Sequence, residues 1–109
     1  MINVDSDYQT YLVCFSLLRK SARKVFQSQK NFFVTRFEVK NLVHAHNITV
    51  FQAILTLTIG GGRWEYCRNR FKNCDDSYTD TNGFIWEVAK ITAVSEEEQC
   101  KIRDQILIS

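Results

Sequence analysis

Apolar residues near the start of the chain recur at steps of three and four: Tyr8, Leu12, Phe15, Leu18, Ala22 and Phe26. That spacing follows one face of a helix, so it predicts a long amphipathic helix over 7–28. A polar stretch at 27–31 then breaks the pattern before Phe32 and Phe33. Thr35-Arg36-Phe37-Glu38 has the spacing of a capping box, in which hydroxyl and carboxylate satisfy reciprocal backbone donors at a helix start. Phe37, Val39, Leu42, Val43 and Ala45 carry this helix for about three turns, to a close at His46-Asn47, where asparagine tolerates a left-handed backbone. Ile48 plugs the junction. Thr49-Val50-Phe51-Gln52 is a second capping box, opening a helix whose inward side is Ala53, Ile54 and Leu57 and whose end is Gly60-Gly61-Gly62.

The segments Trp64-Glu65-Tyr66-Cys67-Arg68-Asn69-Arg70-Phe71 and Phe84-Ile85-Trp86-Glu87-Val88-Ala89-Lys90-Ile91 are rich in aromatic and branched residues and roughly alternate in polarity. They read as two antiparallel strands. The polar connection 72–83 ends in Asn82-Gly83, a strong turn signal. A third capping box, Ser95-Glu96-Glu97-Glu98, opens a last helix from Glu96 to about Leu107, with Ile102 and Ile106 on one side. Generic helical hairpins fit the first half as well. The order nevertheless favours an α+β winged helix-turn-helix as a single domain over 1–109: three N-terminal helices, a two-stranded β-hairpin wing and a C-terminal helix.

Composition agrees with one globular domain: 109 residues, 45% hydrophobic and 24% charged. No apolar run reaches the length of a membrane span, and the amino terminus lacks the order of a signal peptide, so a cytoplasmic protein is expected. Net charge is only +2, but its distribution is lopsided: residues 1–74 hold eleven Lys/Arg against four Asp/Glu, and residues 75–109 hold three against eight. Arg19, Lys20, Arg23 and Lys24 fall in pairs one turn apart on the predicted first helix, and Arg63, Arg68, Arg70 and Lys72 follow the glycines. One basic face can draw in a phosphate backbone.

Candidate chemistry is sparse. Cys14, Cys67, Cys74 and Cys100 lack the close spacing of a zinc or redox motif and read as structural thiols. His44 and His46 diverge by about 200° on a helix and cannot both meet one metal with Cys67 and Cys74. Asp75, Asp76 and Asp80 miss the ligand spacing of an EF-hand, and the triple glycine lacks the lysine and hydroxyl of a phosphate loop. Asn47-Ile48-Thr49 matches a glycosylation acceptor only by coincidence in a cytoplasmic protein. An enzyme, a metal or a cofactor is not expected.

A DNA reader fits better. In a winged helix the helix starting at Thr49 would offer Thr49, Val50, Gln52, Leu55 and Thr56 to the major groove, with Gln52 suited to adenine and Val50 or Leu55 to a thymine methyl. No Lys, Arg, Asp or Glu occurs from 41 to 62, so Arg36, Lys40, Arg63, Arg68, Arg70 and Lys72 would have to hold the phosphates. The same nearly uncharged helix would suit a protein surface. The alternative is therefore a protein-interaction module or inhibitor, of phage or plasmid type, on the same scaffold. Candidate partners are double-stranded DNA, a controlling protein and a second copy of the chain.

The feature order also resembles the CaiF/GrlA-type transcriptional regulators of enteric bacteria. The residues that carry the likeness are Tyr11-Leu12-Val13-Cys14-Phe15-Ser16-Leu17-Leu18, Phe33-Val34-Thr35, Asn47-Ile48-Thr49 with Gln52 to Ile59, and the segments Trp64 to Arg68 and Phe84 to Val88. The resemblance implies a winged-helix activator of genes for adhesion, virulence or metabolism, controlled by a bound protein. An uncharged recognition helix and an acidic tail are departures from that pattern.

Overall fold

The computed structural model describes residues 7–20 and 28–108. Two strands, β1 (Thr10–Lys20) and β2 (Gln29–Thr35), come first. Three helices follow, α1 (Arg36–His46), α2 (Val50–Thr58) and α3 (Trp64–Phe71), and then β3 (Ser77–Thr79), β4 (Phe84–Val94) and α4 (Glu96–Ile108). All four strands form one antiparallel sheet in the order β2-β1-β4-β3. The expected winged helix-turn-helix with three leading helices is therefore overturned: the described residues are α+β, but two strands precede the helices, and the hairpin belongs to a four-stranded sheet.

The first correction is the 7–28 helix, which is strand β1 over most of its described length. Leu12, Phe15 and Leu18, three of the residues at helical steps, sit inside an almost unbroken apolar run from Tyr11 to Leu18, and such a run suits a strand covered on both faces. Val13 and Phe15 are fully buried on one face, while Leu12 and Cys14 line a hollow beneath Glu98 and Ile102 of α4 on the other. Ala22, Phe26, Arg23 and Lys24 lie outside the described residues. Register slips between Cys14 and Phe15, and again between Leu17 and Arg19, mark bulges in the pairing with β4.

The second correction is 64–71, a helix and not a strand. Alternating polarity masked the positions that matter: Trp64, Cys67 and Phe71 are buried at helical steps, with Glu65 in the first turn and Arg68 and Arg70 in the last, as the helix dipole favours. In place of the partner expected there, β4 pairs with β1 along most of its length and, on its other edge, with the short β3, as Tyr78 with Trp86.

The three remaining helix starts stand where the spacing put them. Thr35 and Thr49 both make full capping boxes, with Thr49 Oγ1 accepting from Gln52 N at 3.1 Å and Gln52 Oε1 accepting from Thr49 N at 3.0 Å. Ser95 accepts from Glu98 N at 3.1 Å, and its hydroxyl donates to the Glu98 carboxylate. Asn47 takes the left-handed conformation, φ 51°, that ends α1.

The core lies between the sheet and the α1–α3 layer: Val13, Phe15, Val34, Ile54, Leu55, Trp64, Cys67, Phe71, Tyr78 and Trp86. On the opposite side, the Arg103 guanidinium of α4 stands 5.1 Å from the Phe33 ring of β2.

Candidate nucleic-acid interface

α2 was the expected DNA reader, and the structure turns most of its candidate face inward. Leu55 and Thr56 are fully buried and Gln52 is 8% exposed. The Gln52 amide is wholly committed: its oxygen completes the capping box, and its Nε2 donates to the carbonyls of Phe71 at 3.3 Å and Lys72 at 3.0 Å. Thr56 Oγ1 donates to Gln52 O at 2.8 Å. Reaching a base edge would strip these groups of their partners inside the protein. Thr49 and Val50 alone of the five remain at the surface, Val50 at 56% exposure.

Gln52 instead serves α3. Its two hydrogen bonds cap carbonyls at the end of α3, and Phe71 packs edge to face on Tyr78 of β3, with ring centroids 5.9 Å apart. The turn joining α2 to α3 brings the two helices close at Gly60. A Cβ there would collide with Cys67 Sγ and stand 3.2 Å from the Phe71 ring, so glycine is needed for close packing. The result is a short helix held rigidly along one side.

The other side of α3 faces solvent. Arg63, Arg68, Arg70 and Lys72 are all exposed, as are Glu65, Tyr66 and Asn69, with Tyr66 at 77%. Four cations against one carboxylate leave this face strongly positive. The Arg63 guanidinium lies over the Tyr66 ring at 5.5 Å and that of Arg70 over Phe71 at 5.1 Å. Glu65 is 3.7 Å from His46 of α1. The remaining predicted cations, Arg36 and Lys40, stand exposed on α1, where Lys40 is 3.7 Å from Asp7. The four cations in and beside α3 are legible in the sequence as candidates, whereas Glu65, Tyr66 and Asn69 are not singled out there; the apolar residues at helical steps 64, 67 and 71 are the signal that points to them.

Burial raises the Cys67 and Cys74 thiols above their ordinary value, against the lowering field of Arg70, and Asp75 raises Cys74 further. Both thiols are therefore protonated at neutral pH. Burial likewise raises Tyr78, with Asp80 adding to the effect. Among the described residues no three His, Cys, Asp or Glu side chains come together as a metal site. No described helix is long and apolar enough to cross a membrane.

Of the three loop acids, Asp75 and Asp76 are exposed and follow α3 directly, while Asp80 is a structural acceptor. Its Oδ1 receives the N–H groups of Asn82 at 2.8 Å and Phe84 at 3.0 Å, and its Oδ2 receives the Trp86 indole at 3.0 Å. Desolvation pushes the Asp80 pKa up, but these hydrogen bonds and the Lys30 charge outweigh it and lower the pKa below its ordinary value. A lowered folded-state pKa gives stability that is present above the unfolded value, near 4, and lost as pH falls through the folded one. Asp80→Asn should cost about 1 kcal/mol at neutral pH, and urea melts should show the gap to wild type closing as the pH falls below about 4.

No protein-family model, curated protein or solved structure matches this chain.

Proposed function

We propose that the chain is a small DNA-binding protein, a transcriptional regulator that presents α3, in place of the helix starting at Thr49, to the major groove of a duplex. What supports this reading is one observation: α3 is anchored along a buried stripe while its exposed residues include Arg68 and Arg70, and the cap residues Arg63 and Lys72 at its two ends are exposed cations as well, against the single acid Glu65 within the helix. An eight-residue helix is about 12 Å long, comparable with the width of the major groove.

The test is the salt dependence of binding to a labelled duplex. If the four cations meet four phosphates, the logarithm of the affinity should fall against log salt with a slope of about −3.6, or roughly 150-fold between 50 and 200 mM. A slope near zero would remove the proposal.

A second reading, a protein-interaction module, is favoured by a different surface. An almost wholly apolar hollow of about 210 Å3 opens between the sheet and the first two helices, lined by Tyr11, Val39, Val50, Ile54 and Ile91 with Arg36 at its side. Val50 and Ile91 are each about half exposed. A partner seated there should bind with an affinity nearly indifferent to the same salt range.

A further inference from the structure

The outward face of α3 is not uniform, and its geometry separates a base-reading position from phosphate-holding ones. Successive helical residues turn by about 100°, so the buried Trp64, Cys67 and Phe71 fall within an arc of about 60°. The direction diametrically opposite that arc is occupied, to within about 10°, by Asn69. Tyr66 and Glu65 stand about 50° to either side of this crest, while Arg70 and Arg68 lie farther round at the shoulders. Lys72 continues the same spiral, since it keeps a right-handed helical backbone, φ −53° and ψ −39°.

A helix seated in the major groove sets its crest against base edges and its shoulders against the two flanking phosphate strands. We infer that Asn69 is the residue of this protein that determines sequence preference, by a bidentate pair with adenine in duplex DNA; this rests on the DNA-binding reading of α3. An asparagine amide can donate an N–H to adenine N7 while its oxygen accepts from adenine N6–H2 in the major groove. The amide is available for it: Asn69 is exposed, and among the described residues none holds its side chain. Its two neighbours on the crest are already engaged, Glu65 beside His46 at 3.7 Å and Tyr66 beneath Arg63 at 5.5 Å. The three nearest cations have the complementary task. Arg68, Arg70 and Lys72 surround Asn69 in sequence and would clamp the groove walls around it.

The experiment is selection from duplexes with a randomised centre, run with wild type and with Asn69→Ala, followed by titration of the enriched duplex and of an unselected one. Wild type should enrich a site containing an adenine whose replacement weakens binding roughly 5- to 150-fold. The alanine variant should lose that discrimination while keeping its melting temperature, its affinity for unselected duplex and its salt slope. Enrichment of the same site by the variant would overturn the inference. So would a wild type that binds with a steep salt slope but enriches nothing, an outcome that leaves phosphate binding by α3 standing. Wild type that retains no duplex at low salt would end both.

Discussion

Replacing Arg68 and Arg70 together by alanine should weaken binding to every duplex, whatever its sequence, by roughly 60-fold at 0.1 M salt relative to the 1 M limit. Each phosphate contact contributes a slope of about 0.9 in log affinity against log salt, so losing two should halve the dependence from about −3.6 to about −1.8. Both side chains are exposed on α3, away from the buried stripe of Trp64, Cys67 and Phe71. Stability should therefore change by no more than about 0.5 kcal/mol. The double change removes the exposed Arg70 guanidinium from its place 5.1 Å from the Phe71 ring. Fluorescence anisotropy titrations at several salt concentrations decide the matter. Unchanged affinity in a variant that still melts like wild type would take α3 out of the interface.

Phe71→Ala should destabilise the fold by about 3–5 kcal/mol. The ring is fully buried and stands edge to face with Tyr78, so it fastens α3 to the strand β3 on the far side of the core. Around it, Gly60 and Gln52 hold the same junction, the first by close approach and the second by its bond to the Phe71 carbonyl. A domain of this size has only about 5–15 kcal/mol in all, so the melting temperature should drop by more than about 12 °C. Urea unfolding of the two proteins measures the difference directly. A loss below about 1 kcal/mol would mean that the junction does not hold α3 in place.

Much of the helical layer could be read from local chemistry. The boxes at Thr35 and Thr49 and the asparagine at 47 act over three or four residues, and no distant contact is required for their hydrogen bonds. The same holds for the turn at Asp80 to Gly83, where an acidic side chain and a glycine at φ 85° close the hairpin locally. The strand β1 was a different matter. Tyr8, Leu12, Phe15 and Leu18 satisfy a helical period, and only its place at the centre of the sheet, between β2 and β4, makes the whole run from Tyr11 to Leu18 extended.

The candidate site followed the same division. The four cations in α3 and at its caps were identifiable by residue type, because a Lys or Arg near a glycine turn is charged and solvated in almost any fold. Their arrangement depended on whether 64–71 formed a strand or a helix, and an alternating pattern of eight residues does not decide that by itself. Trp64, Cys67 and Phe71 form a stripe only once α2 is there to receive it.

From the chain's order of residues alone came the starts of three helices, the close of α1, the hairpin turn and the charge asymmetry, all of them consequences of neighbours a few positions apart. The tertiary structure decided which surfaces those elements show. Gln52 has the same amide as any base-reading side chain, but the Phe71 and Lys72 carbonyls, nineteen and twenty residues away, claim it and turn α2 inward. Burial is a property of what packs against a residue, and in this protein that packing moves the exposed face from α2 to α3.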